Sequence, residues 1–216
     1  MKIFQKHKIY WRRRAFITSV ITGLVLLTIS IFINNYAQAY AASHISNSVT
    51  DILLDNITPL DVHLIYSEGA IIFLFILAAA LFREPKYIPF VFKSIAFFII
   101  TRSLFMVLTH LAPPATAIYI NPTDYIQSLS QGDDLFFSGH TGLPALLSFI
   151  FWEKKYLRYI FLVCTIIGGT AVILGHLHYS IDVFAALFIS FGILHISKKL
   201  FSADYRLISQ PSGESL

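Results

Sequence analysis

Two short segments carry side chains of the kinds that move phosphoryl groups. One is Ser138-Gly139-His140, and the other runs from His176 through His178 and Tyr179 to Asp182. His178 and Asp182 are four apart, so on a helix they share a face within hydrogen-bond reach. A carboxylate that accepts from one imidazole nitrogen fixes the tautomer and makes the other nitrogen a better nucleophile. Ser138-Gly139-His140 stands where a loop enters an apolar run. A helix N-terminus offers free N–H groups and positive potential, which suit a phosphate, and Gly139 lets the backbone approach closely. His140 is then placed as a general acid toward a leaving oxygen. Two histidines and one aspartate suffice for phosphoryl transfer through a phosphohistidine.

Charge within a bilayer is costly, so ionisable residues inside apolar runs are functional candidates. Besides His140, His178 and Asp182 they are Glu68, Arg102, His110 and His176. Glu68 and Arg102 serve equally well as a structural ion pair. His44, His63 and His195 read as ordinary interfacial histidines, and His110 leans the same way. Zinc is a rival use for His176 and His178. Side chains two apart diverge on a helix, however, and no cysteine or His-x-x-x-His spacing supports a metal. No metal and no cofactor are expected.

These residues need elements to hold them, and the composition says which. The chain has 216 residues, 56% hydrophobic and only 13% charged, against about 25% charged in ordinary soluble domains. Mean hydropathy is +0.69 and the sequence pI about 9.1. The basic residues sit in short clusters between apolar runs, which is a membrane-topology pattern and argues against nucleic acid as a partner. The lone cysteine, Cys164, lies inside an apolar run and reads as a small buried hydrophobe.

Spans of about 20 apolar residues are expected at 15–36, 64–82, 88–110, 137–152, 156–177 and 179–197, the fourth being short. The expected fold is therefore all-α, a polytopic membrane protein with six transmembrane helices. The first span follows a basic stretch and resembles a signal peptide, but its apolar run is too long for one, so it is expected to stay uncleaved. Lys and Arg cluster at 2–14, 83–93, 154–158 and 198–206, and with six spans all four clusters fall on one side. The positive-inside rule makes that side cytoplasmic, with both termini on it. The opposite side holds Asp51, Asp55, Asp61, Asp124, Asp133 and Asp134. Residues 1–14 form a basic cytoplasmic N-terminus, 15–200 the catalytic membrane domain and 201–216 a cytoplasmic tail. Residues 44–60 are expected to form a short amphipathic surface helix, and the tail from Ser209 to be disordered.

The two histidine segments resemble those of the sphingomyelin synthase family, a branch of the type 2 phosphatidic acid phosphatase superfamily. Asp134-Leu-Phe-Phe-Ser-Gly-His-Thr141 is similar to the family's first motif, with Asp133 where the family has Gly. His176-Leu-His-Tyr-Ser-Ile-Asp-Val183 is similar to its second. Pro59-Leu60-Asp61, Ser67-Glu68 and Arg102-Ser-Leu-Phe-Met106, with Thr109, Leu111 and Pro114, give weaker matches upstream, so the likeness covers about residues 58–200. The resemblance implies that His178, activated by Asp182, attacks the phosphorus of a donor phospholipid. His140 protonates the departing diacylglycerol and then deprotonates an acceptor alcohol. Glu68 and Asp134 match supporting acidic positions, Arg102 would steady the phosphate, and Ser138 and Gly139 would help bind it.

Two departures bear on the reaction. Phosphatases of the wider superfamily carry an Arg six residues before the second His, where this chain has Val172, and a Lys-x6-Arg-Pro segment that it lacks. A phosphomonoester dianion needs several cationic donors, whereas a diester manages with fewer. A diester substrate is therefore expected, and with it head-group transfer or phospholipase C-like cleavage over phosphatidic acid dephosphorylation. The resemblance implies head-group transfer to ceramide or diacylglycerol, with a lipid phosphatase or phospholipase C-like hydrolase as the alternative. A non-enzymatic lipid-binding or transport bundle is a third reading. The expected partners are a phospholipid donor, a lipid acceptor and the membrane, and a homo-oligomer is compatible with the sequence. The compact build points to a bacterial inner membrane with the site on the periplasmic face, or the exoplasmic or lumenal face in a eukaryote.

Overall fold

The computed structural model describes residues 3–118 and 136–209. Among these the chain is all helical, without strands. A short helix α1 (Ile3–Tyr10) precedes the long α2 (Arg14–Ala42), then come α3 (His63–Arg83), α4 (Ile88–Leu108), α5 (Gly139–Ile150), α6 (Lys155–Leu174), α7 (Ser180–Leu200) and a terminal α8 (Ser202–Ser209). Single 3-10 turns occur at Leu54–Asn56 and Pro85–Tyr87. Five helices are long and apolar enough to cross a membrane: Arg14–Ala42, His63–Arg83, Pro85–Leu108, Lys155–Leu174 and Ser180–Leu200. Their outer faces carry large exposed hydrophobics such as Phe32, Phe75, Ile166 and Phe188, which a bilayer accepts and water does not.

The fourth expected span is the exception. α5 has 12 residues, roughly 18 Å at about 1.5 Å per residue, too short to cross by itself. Local chemistry sets both ends. The Ser138 side chain accepts the Thr141 N–H at 3.4 Å as an N-cap, and the chain leaves the helix at Phe151. Between those points α5 is the most enclosed element, held among α4, α6 and α7. Leu146, Leu147 and Phe151 are fully buried. Glycines permit this close packing. A Cβ on Gly168 of α6 would lie 2.4 Å from the His140 carbonyl oxygen, and one on Gly142 would lie 2.9 Å from the Phe98 ring. Pro144 lies inside α5 and has no N–H to give to the carbonyl four residues back, which is that of His140.

One end of the bundle is tied by ion pairs. Lys6 of α1 and Lys154 of the α5–α6 turn reach Glu84 at 2.7 and 3.4 Å. Lys93 of α4 reaches Asp204 of α8 at 2.6 Å and Ser19 of α2 at 2.7 Å. The residues after 200 thus include a docked helix, α8, while 210–216 lie outside the described residues.

The expected amphipathic helix over 44–60 is reduced to the turn Leu54–Asn56. Its polar groups are engaged elsewhere. Ser46 donates its N–H to the His110 carbonyl at 2.7 Å, and Leu60 donates to Leu174 at 2.8 Å. The Asp51 carboxylate takes the Leu53 and Leu54 N–H groups at 2.9 and 3.2 Å. Pro59 then blocks further helix.

Candidate active site

The link between α6 and α7 builds one half of the site. α6 ends in a Schellman turn: His176 donates its N–H to the Ile173 carbonyl at 3.0 Å, and Leu177 donates to Val172 at 2.9 Å. His176 takes the left-handed position, φ 53°, which glycine usually fills. Its ring is fully buried with Nδ1 against the Thr116 hydroxyl. The turn delivers His178 and Tyr179 to the start of α7. There the Asp182 carboxylate accepts the Tyr179 N–H at 3.1 Å through Oδ2. The same oxygen lies 3.3 Å from His178 Nδ1. Both side chains are removed from solvent, at 3% and 0% exposure. With Nδ1 facing the carboxylate, Nε2 of His178 is the nitrogen left for chemistry. The second Asp182 oxygen, Oδ1, has no hydrogen-bond partner among the described residues.

The other half is the start of α5. Phe137 is fully buried at φ 33°, a costly conformation for a bulky residue. Edge-to-face packing on Phe98 and Phe105, at 5.3 and 6.1 Å, holds it there. Its carbonyl accepts from Arg102 Nε at 3.1 Å. A backbone hydrogen bond from the Ser138 N–H to the Asp182 carbonyl, 3.2 Å, joins the two halves. The His140 ring stacks on Tyr66 of α3, with centroids 4.1 Å apart and planes at 28°.

The halves meet on one cavity of about 1080 Å³, whose lining includes Glu68, Arg102, Gly139, His140 and His178. Its remaining walls are mostly aliphatic and aromatic, among them Phe73, Ile76, Leu143 and Ile160. α2 lies along α4 and α3 leans on α6, whereas α2 and α3 scarcely touch, so the cavity lies between helices that do not close on each other.

Of the expected site residues, His140, His178, Arg102, Glu68 and Gly139 thus share one cavity, and Asp182 and Ser138 are buried directly behind it. Glu68 is exposed on the cavity wall, and no ion pair joins it to Arg102 among the described residues. Asp134 lies outside the described residues. His110 does not line the cavity; its ring faces His44 at 5.5 Å and Tyr40 at 5.6 Å. His176 turns to Thr116 while His178 turns to Asp182, so the two do not converge. Among the described residues no group of three His, Cys, Asp or Glu is placed to hold a metal ion.

Several contributors were not legible in the sequence. Asp51 caps α7 from a distant loop, accepting the Ser180 N–H at 2.7 Å. Burial alone would raise its carboxyl, but hydrogen bonds from Ser180, Leu53 and Leu54 together outweigh that and hold it below its ordinary value. Tyr179 bridges two loops above the site: its hydroxyl donates to the Ala112 carbonyl at 2.9 Å and accepts the Val49 N–H at 3.1 Å. Three carboxamides of α2, Asn34, Asn35 and Gln38, also line the cavity. They carry no charge, so a search for ionisable residues passes over them.

The fold and site define a helical membrane protein with a paired histidine set at the polar end of an apolar cavity. Residues 132–199 match the family model described as PAP2 superfamily C-terminal. The match holds both histidine motifs and covers α5 to α7, and it suggests a phosphatase- or phosphotransferase-type enzyme acting on lipids. No curated protein and no solved structure matches the chain significantly.

Proposed function

We propose that the chain is an integral-membrane lipid phosphotransferase that moves a phospho-head group from a phospholipid to a lipid alcohol. The observation that carries this reading is the convergence of His178, backed by Asp182, and His140 at the polar end of an otherwise apolar cavity. Nε2 of His178 attacks the phosphorus, and the bond to the diacylglycerol oxygen breaks as that oxygen takes a proton from His140. The head group, still a phosphodiester-derived anion, rests on His178 as a phosphoramidate. An acceptor hydroxyl then loses its proton to His140 and attacks phosphorus, which frees His178. Asp182 holds the tautomer and offsets the imidazolium charge. Arg102 and the N–H groups at the start of α5 offset charge on the phosphoryl oxygens.

The electrostatics favour a diester. Arg102 is the one Lys or Arg in the cavity lining among the described residues. The position six before His178 is Val172, fully buried in apolar packing with Tyr66 and Val183. A dianionic monoester would need more cationic donors than this. Hydrolysis, with water as acceptor, is the second reading, favoured by the lipid phosphatase-type function that the family match suggests.

The same reading places six crossings in the membrane, with α5 as the short one. α5 begins beside Arg102, six residues before the end of α4 at Leu108, so its N-terminus is recessed by roughly 9 Å at about 1.5 Å per residue. Both termini would then be cytoplasmic. The ion pairs that gather α1, Glu84, Lys154 and α8 at one end support this. The site would face the periplasm in a bacterial inner membrane, or the exoplasmic or lumenal side in a eukaryote.

The test is a lipid assay in liposomes with a phospholipid labelled in its head group, offered ceramide and diacylglycerol. Label on a new lipid, lost in His178→Ala, supports transfer. Label in water supports the hydrolase instead, and activity untouched by His178→Ala removes both readings.

A further inference from the structure

Three carboxamides on one helix that crosses apolar surroundings ask for a reason. Asn34, Asn35 and Gln38 follow Ile31-Phe32-Ile33 in α2 and all three line the cavity. Asn34 and Gln38 are four apart and Asn35 and Gln38 three apart, so they form one face. A carboxamide in hydrocarbon costs several kcal/mol unless its donors and acceptor are met. Helix packing accounts for little of what Asn34 and Asn35 offer. Ser103 of α4 meets Asn34 Oδ1 only at 3.5 Å, and no hydrogen bond ties Asn35 among the described residues. Packing of α2 on α4 is achieved elsewhere, where a Cβ on Gly23 would lie 3.0 Å from the Phe92 Cβ.

The chemistry of the face differs from that of the catalytic group. Arg102, His140 and His178 suit an anion. A carboxamide is neutral and both donates and accepts, so it suits hydroxyl and carbonyl groups. A lipid carries such groups where its chains join its polar end. α2 stands across the cavity from α6, outside the segment 132–199 that matches the family model.

We propose that Asn34, Asn35 and Gln38 form a specificity-determining subsite that hydrogen-bonds the neutral hydroxyl and ester or amide carbonyl groups of a lipid bound in the cavity. Arg102 and the histidines hold the phosphoryl group of the same lipid, or of the second one. The subsite rests on the lipid reading of the cavity given above, and its test therefore reads binding separately from turnover.

The test uses the full chain in lipid nanodiscs and two fluorescent probes, a labelled diacylglycerol and a labelled phosphatidylcholine. Asn35→Leu and Gln38→Leu are compared with wild type and with Phe32→Leu, a change at a residue of the same helix that is 70% exposed and lies off the cavity. Losing one or two hydrogen bonds should weaken binding roughly five- to tenfold. Phe32→Leu should bind as wild type, and Asn35→Gln should recover most of the loss. Asn35 is exposed, so Asn35→Leu carries the test even if Gln38→Leu does not fold. Weaker binding of the diacylglycerol alone assigns the subsite to the acceptor, and of the phosphatidylcholine alone to the donor. Unchanged binding of both probes by Asn35→Leu and any folded Gln38→Leu, or no binding by wild type, overturns the proposal. Weakened binding in a chain that transfers no head group would keep the subsite and sink the transferase.

Discussion

The Ser138 amide donates to the Asp182 carbonyl at 3.2 Å. This one hydrogen bond fastens the N-terminus of α5 to that of α7, and so fixes His140 relative to His178. Each helix start is secured again on its own side, by the Ser138 cap on Thr141 and by the Asp182 carboxylate on Tyr179. The paired histidines are therefore held by backbone, before any lipid arrives.

Asp182→Asn separates the two duties of that residue. The amide oxygen still accepts the Tyr179 N–H, so the fold should survive. It cannot offset an imidazolium and does not enforce the tautomer. A fall in kcat of about 10²- to 10⁴-fold is expected, by analogy with orienting aspartates elsewhere. Steady-state kinetics beside a thermal melt would check it, and a kcat within twofold of wild type would remove Asp182 from the chemistry.

In the proposed mechanism His140 protonates the leaving oxygen, so the effect of its loss should depend on that oxygen's basicity. His140→Gln should slow head-group transfer from a natural phospholipid by about 10²- to 10⁴-fold. A phosphodiester with a nitrophenolate leaving group needs no proton and should lose far less in its first step. Equal losses on both substrates would deny His140 the acid's role.

Asp51 gives a prediction about pH. Its folded value lies below 3.8, so its contribution to stability is fully present above the unfolded value. That contribution is lost as pH falls through the lower folded value. Asp51→Asn should cost about 1 kcal/mol at pH 7, typical of a helix cap, and the gap to wild type should narrow as pH falls through the depressed folded value of the carboxyl. Melting curves in detergent at neutral pH and across the acid range would show it. A gap that persists at the acid end would mean that the Asp51 charge is not what holds Ser180.

Gly168 tests the α5–α6 approach. A Cβ there would sit 2.4 Å from the His140 carbonyl oxygen and 3.1 Å from its carbon. These are backbone atoms, so the helices must part. Gly168→Ala should cost about 1–3 kcal/mol and move His140 enough to depress kcat. Gly192, with open space around it, is the control, and a Gly168→Ala variant no worse than Gly192→Ala would contradict the packing.

Much of this was legible in the sequence, for identifiable reasons. Long apolar runs announce spans because length and hydropathy are local properties, and five of six proved long enough. The exception, α5, is bounded by the Ser138 cap and the exit at Phe151, and an apolar run does not mark such limits. The His178–Asp182 pairing was readable because the two are only four apart, although the turn and N-cap before α7, and not a helix face, bring them together. The role of Asp51 was not, because it acts on Ser180 across 129 residues. His176 drew attention as a histidine, yet its backbone shapes the turn. The approach of Gly168 to the His140 carbonyl is a tertiary fact that no local pattern shows. The carboxamides of α2 escaped because they carry no charge, and only the cavity shows that they share one wall.

The central claim is that His178 carries the head group covalently, and a rapid-quench experiment tests it most directly. Wild-type protein in liposomes is mixed with phospholipid labelled in the head group, stopped in alkaline denaturant within milliseconds, digested and mapped. The expected result is label on the peptide containing His178, stable to base and lost in acid, absent from His178→Gln and drained by added acceptor lipid. Continued turnover with no label on that peptide, or with label elsewhere, would contradict the account.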